Sequence, residues 1–192
     1  MTKTRVVVAD DESIIRMDLV ELLSQAGYEV VGQASDGKAA LQAIKELAPD
    51  IAVLDVKMPL LDGIEVALNV REQIPVVLLT AFGQADIIAQ ASSAGVMGYV
   101  MKPFTEADVV AAIEIALSRF TDLQRLESER DDLAESLETR KILDRAKGLL
   151  QTKLALDEPQ AVRWLQKAAM DKRLSVRAVA ESVIAELGES NK

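Results

Sequence analysis

The stretch "IAVLD", residues 51–55, runs directly into "VKMPLLDG", residues 56–63. Four apolar residues without alternation close on a carboxylate, and the chain then breaks at Pro59 and Asp62-Gly63. That pattern reads as a strand covered on both faces and followed by a turn. "VVLLT", residues 76–80, has the same character. Further short β-branched runs lie at Arg5–Asp10, Glu29–Gln33 and Tyr99–Met101. Helical patterns fall between them, punctuated by Ala26-Gly27, Asp36-Gly37, Pro49, Pro75 and Ala94-Gly95. Alternation of this kind through residue 118 predicts an α/β domain built on a doubly wound, five-stranded parallel sheet. In such sheets ligands bind beyond the carboxyl ends of the strands.

Those strand ends carry chemistry. Asp10, Asp11 and Glu12 follow the first strand, Asp55 ends the third, Thr80 the fourth, and Lys102 follows the fifth. Converging carboxylates repel one another unless a cation joins them, and hard oxygen donors favour Mg²⁺, which usually keeps waters and pairs with phosphate. Lys102 offers a point charge for phosphate oxygens and Thr80 a hydroxyl. The set suits making and holding a phosphoryl group on a carboxylate. An acidic pair alone could be no more than a helix cap; the order acid pair, Asp, Thr, Lys at successive strand ends is far more specific.

Composition narrows the rest. The 192 residues include neither Cys nor His, which excludes disulfides, zinc sites and histidine acid–base catalysis. The N-terminus enters a strand-like run without a signal-type segment, and no apolar stretch reaches the roughly 18 residues of a membrane span. A soluble, cytoplasmic protein without membrane partners is expected. The net charge of −9 is unevenly spread: residues 140–177 hold ten basic against four acidic residues, in an otherwise acidic chain.

"VVVADDE", "LDVKMPLLDGIE", "LLTAFG" and "YVMKPF" resemble the motifs of the receiver domain of two-component response regulators, over about residues 4–118. The resemblance implies a flavodoxin-like fold, with Asp55 as phosphoacceptor. It implies Mg²⁺ held by Asp10, Asp11, Asp55 and the Lys57 carbonyl, Asp11 being the more direct ligand of the acidic pair. Thr80 and Lys102 would sense the phosphoryl group, Tyr99 would be the aromatic switch, and the Lys102-Pro103 bond would be cis. The chain would take its phosphoryl group from the histidine of a partner sensor kinase. Activity would extend at most to self-phosphorylation from small donors and self-dephosphorylation.

After Thr105 the pattern is helical. Leu123, Leu126, Leu133 and Leu137 make a short heptad seam, interrupted by Arg130 and Arg140. A solvated connecting helix and a dimerising linker both fit residues 119–138. Three amphipathic helices follow. In the first, Ile142, Leu143, Ala146, Leu149, Leu150 and Leu154 fill one arc, and Gly148 stands among the charged residues of the other. Asp157 with Gln160 predicts a capping box for the second, and Ser175 a cap for the third. Trp164 is expected in their shared core.

"ILDRAKGLLQTK…AVRWLQKAAMDKRLSVRAVAESVI", over about 139–187, resembles the ANTAR domain, a three-helix RNA-binding module of transcription antiterminators. The order is similar to that of actinobacterial response regulators. The resemblance implies a phosphoprotein that binds hairpins in nascent RNA, acts in transcription regulation beside RNA polymerase, and is a homodimer when active. Lys141, Arg145, Lys147, Gly148 and Arg173 are the expected RNA contacts. The division read is a receiver at 1–118, a linker at 119–138 and the RNA-binding domain at 139–192. A protein-interaction output remains open, as does a DNA-binding one, although only Arg177 and Ser182 would be available to read bases. The acidic receiver could also mask the basic helices.

Overall fold

A computed structural model describes residues 3–81 and 95–188. The segment expected to form a helix between the fourth and fifth strands, at 82–94, lies outside the described residues. The elements run β1 (Arg5–Ala9), α1 (Ser13–Gln25), β2 (Glu29–Ala34), α2 (Gly37–Leu47), β3 (Ile51–Asp55), α3 (Gly63–Val70), β4 (Val76–Ala81), β5 (Gly98–Lys102), α4 (Glu106–Leu154), α5 (Glu158–Lys172) and α6 (Val176–Gly188). By internal contacts the chain divides into two compact units, Met1–Gln124 and Arg125–Lys192, and the division falls within α4.

In the first unit the five strands form one parallel sheet in the order β2-β1-β3-β4-β5. Alternate residues of each strand face opposite sides, so the sheet feeds two cores. Val7, Ala9, Ala52, Leu54 and Leu78 pack with Ala40 and Ile44 of α2 and with Ile64, Ala67 and Val70 of α3. Val6, Val8, Ile51, Val53, Val77 and Leu79 pack with Leu19 and Leu23 of α1 and with Val109, Ile113 and Ala116 at the start of α4. Every residue of β3 is buried, as its unbroken apolar run requires. The turns do what their residues favour: Asp36 caps α2 through the Ala39 N–H, and Asp62 with Glu65 forms a capping box on α3.

In the second unit, Ala146 and Leu150 of α4, Ala161, Leu165 and Ala169 of α5, and Val179, Ala180 and Val183 of α6 share one core. The Asp157–Gln160 capping box forms, with both bonds between 2.7 and 2.9 Å, and the Ser175 hydroxyl accepts from the Ala178 N–H. Two expectations change. The linker and the first of the three helices are not separate elements: α4 continues unbroken from Glu106 to Leu154, because Gly148 is its one glycine, it contains no proline and nothing in its sequence forces a stop. Trp164 is not in the core but 42% exposed. The buried stripe of α5 runs through Ala161, Leu165 and Ala169, four residues apart, and Trp164 stands one residue off it, at the edge of the packed face. Among the described residues no helix is long and apolar enough to cross a membrane.

Candidate functional site

Strand register sets the site. Ala9 pairs with Leu54, Asp55 with Leu79, and Ala81 with Lys102. Asp10, Asp55, Thr80 and Lys102 therefore arrive at one level at the carboxyl edge of the sheet. Asp10, Asp55 and Thr80 are the buried polar side chains of the described residues. The Lys102 ammonium sits between the acids, 2.7 Å from Asp10 Oδ2 and 2.6 Å from Asp55 Oδ1. The remaining carboxylate oxygens accept backbone N–H groups: Asp10 Oδ1 from Glu12 at 2.9 Å and Asp55 Oδ2 from Lys57 at 2.8 Å. The Lys102-Pro103 peptide is cis.

One cation against two carboxylates leaves the cluster one negative charge in excess, and Asp55 and Lys102 both hold their protons more tightly than usual. Burial lifts the Asp55 carboxyl above the ordinary carboxylate range; the Lys102 ammonium and the Lys57 N–H oppose the rise, and Asp10 adds to it. Burial pulls Lys102 down, but its bonds to Asp10 and Asp55 outweigh this and raise it.

The donors for a metal are arranged unevenly. Asp11 is exposed and lines a cavity of about 200 Å³ with Glu12, Asp55, Val56, Lys57, Ala81 and Lys102. Asp10 does not line it, and both of its side-chain oxygens are already engaged. Among the described residues no three carboxylates gather into a cage. The carboxylates of Asp11 and Asp55, with a backbone carbonyl and water, still fit Mg²⁺, which takes few protein ligands and retains its hydration. Response regulator receiver domains use this ion for phosphotransfer.

Two features of the site were not singled out in the sequence. Arg16 Nη1 donates to the Asp10 carbonyl at 2.5 Å, fastening α1 to the end of β1. Gly63 brings α3 against the end of β3: a Cβ there would stand 2.2 Å from the Asp55 carbonyl oxygen. The Asp-Gly pair read as turn punctuation is thus also a point of close approach to the phosphoacceptor strand. Thr80 is buried beside the pocket, and Tyr99 is 54% exposed on β5.

On the helical unit the expected RNA contacts differ in availability. Arg145 and Arg173 are exposed and form no ion pair among the described residues, and Lys141 makes only a 3.5 Å surface contact with Glu138. Lys147 is committed internally: its ammonium lies 2.7 Å from Asp144 and 3.4 Å from Glu158, with 22% of the side chain exposed. The Asp144 carboxylate raises its pKa above the usual lysine value. Arg177 is likewise held by Glu181, Glu135 and Thr139. Gly148 lies in the penultimate turn of α4 with ordinary φ, and a Cβ there would meet nothing within 4 Å. Arg173 ends α5 in the left-handed conformation, φ 55°.

Residues 6–114 match the family described as the response regulator receiver domain, and residues 131–184 match the ANTAR domain. The transcriptional regulatory protein PdtaR of Mycobacterium tuberculosis (strain CDC 1551 / Oshkosh) is 49% identical over 186 residues, covering 96% of this chain and 91% of that protein. The chemotaxis protein CheY of Thermotoga maritima is 36% identical over 112 residues, 57% of this chain and 93% of CheY. Among solved structures, the response regulator receiver domain protein from Clostridium thermocellum superposes with a TM-score of 0.58 at 31% identity, covering 62% of this chain and 98% of that one. The Vibrio cholerae chemotaxis protein CheY4 gives 0.56 at 28% identity, over 60% and 99%. The chain belongs to the response regulators, and carries a receiver domain followed by an ANTAR domain.

Proposed function

We propose that Asp55 is the phosphoacceptor and that its phosphorylation controls RNA binding by the helical unit, making the protein a transcription antiterminator. The observation that carries the first half is the Asp10–Lys102–Asp55 cluster. An Asp55 oxygen attacks the phosphorus of the partner kinase's phosphohistidine. The P–N bond breaks, its electron pair stays on the imidazole, and an aspartyl phosphate forms. Lys102 is already at Asp55 and exchanges its carboxylate partner for a phosphoryl oxygen, while the Thr80 hydroxyl donates to another. Asp10 keeps Lys102 in place throughout. Asp11, Asp55 and the Lys57 carbonyl would hold Mg²⁺, with Asp10 supporting them from behind, and the ion would supply neutralisation of charge on the phosphoryl oxygens. Tyr99 turns inward as Thr80 moves.

The second half rests on the exposed cations of residues 140–177, where ten basic residues stand against four acidic ones. Lys141, Arg145 and Arg173 are the accessible phosphate contacts, Gly148 admits the ligand backbone, and Lys147 joins them on leaving Asp144 and Glu158. We take the receiver as residues 1–118, the linker as 119–138 and the RNA-binding domain as 139–192. The active form is a homodimer joined along Leu123, Leu126, Leu133 and Leu137, all exposed, and it acts on hairpins in transcripts still held by RNA polymerase. The test is gel-shift binding to a tandem stem–loop RNA with and without Mg²⁺ and beryllofluoride. Affinity rises with the analogue in the wild type and does not in Asp55→Asn. Duplex DNA that competes equally with the RNA would overturn the reading in favour of a DNA-binding regulator.

A further inference from the structure

Residues 121–192 contain one aromatic side chain, Trp164. Its neighbours Ala161, Leu165 and Ala169 on α5 are buried, whereas Trp164 is 42% exposed. Its indole N–H has no hydrogen-bond partner among the described residues. Arg163 precedes it and Lys167 lies one turn on, the spacing that makes helical neighbours. Both are exposed and outside any ion pair among the described residues. Arg163 uses Nε to donate to the Pro159 carbonyl at 3.2 Å, which leaves its terminal nitrogens available. An apolar ring between two unpaired cations suits a ligand with flat, π-rich groups spaced along a phosphate chain.

We propose that Trp164 is a base-stacking platform for an unpaired nucleotide of the RNA, with Arg163 and Lys167 on the adjoining phosphates. This rests on the RNA-binding reading above and adds a contact made to a base rather than to the backbone. Stacking tolerates any base, so Trp164 contributes affinity for single-stranded loops over closed stems and little sequence choice.

The chain has a single tryptophan, so its emission reports this site alone. The full-length protein with Mg²⁺ and beryllofluoride is titrated with a stem–loop RNA and with the same stem closed by a hexaethylene glycol linker, which carries no bases. The loop RNA quenches Trp164 emission and the linker-closed stem does not. Trp164→Leu weakens binding of the loop RNA roughly 5- to 150-fold, and Trp164→Phe retains most of it. Neither changes the salt dependence, whereas Arg163→Ala lowers the slope by about one phosphate contact. Thermal melts of both Trp164 variants stay near wild type, because the ring is outside the core. Loop RNA that binds without quenching, with Trp164→Leu at wild-type affinity, overturns the stacking and leaves RNA binding intact. A wild type that binds neither RNA overturns both. If Trp164→Leu alters sedimentation but not RNA affinity, the ring belongs to a protein contact and the proposal fails.

Discussion

Lys102 is the residue on which the acidic pocket depends, since it separates two buried carboxylates and bonds to both. Lys102→Met leaves Asp10 and Asp55 facing each other without a cation, a loss of about 3–5 kcal/mol of stability near neutral pH. The pH dependence follows from sign. A carboxyl whose folded pKa lies above its unfolded value lets the folded state bind more protons, so its contribution falls as pH rises past the ordinary carboxylate range. The deficit of Lys102→Met is therefore smallest in mild acid and largest at neutrality, and Lys102→Met/Asp55→Asn recovers much of it. In the wild type, the raised Lys102 pKa contributes stability that is fully present below the ordinary lysine range and lost as pH climbs through the raised value. Urea unfolding from pH 4 to 11 measures all three; equal stability of Lys102→Met and wild type at pH 7 would refute the pairing. The positions of Asp55 and Lys102 at strand ends were legible from the sequence. The engagement of Asp10 was not, because strand order and register decide which carboxylate the ammonium reaches.

At the scale of elements, α4 holds the clearest test. Gly148 has helical geometry and open space where a side chain would go, so packing gives no reason for it. Gly148→Ala should raise the melting stability of the helical unit by about 0.5–1 kcal/mol. If ligand backbone approaches there, the same change weakens RNA binding, and calorimetry with gel-shift titration reads the two effects separately. A variant that is more stable and binds equally well would remove Gly148 from the interface. The strands were readable because buried parallel strands leave unbroken β-branched runs, and the caps at Asp62 and Asp157 because their partners lie three residues away. The continuity of α4 was harder to see, since its exposed leucine seam and its buried bundle face lie along one helix with different surroundings. Trp164 misled for a related reason. Size and hydrophobicity favour burial, but the buried stripe of α5 runs through Ala161, Leu165 and Ala169, and Trp164 stands beside it.

For the molecule as a whole, dimerisation has an energetic limit that makes it switchable. The four seam leucines are between 41% and 62% exposed, so each has roughly half of its full burial of about 1.5–3 kcal/mol still to gain. Eight leucines in a dimer then supply on the order of 10 kcal/mol. Association itself costs about 4–15 kcal/mol, and Arg130 and Arg140 lie on the same stripe. The seam alone is close to balance, and a modest contribution from the phosphorylated receiver decides the outcome. Sedimentation should therefore show mostly monomer at rest and dimer with Mg²⁺ and beryllofluoride. Leu133→Lys with Leu137→Lys should abolish the dimer without unfolding either unit, because both side chains are exposed in the single chain. Two modules on one RNA gain about 10²–10⁴ in avidity over one. The double variant should therefore bind a two-hairpin RNA no better than a single hairpin, while its affinity for the single hairpin stays at the wild-type value. If it still dimerises with the analogue, the seam is not the interface; if it is monomeric yet keeps the two-hairpin advantage, bivalency does not depend on the dimer.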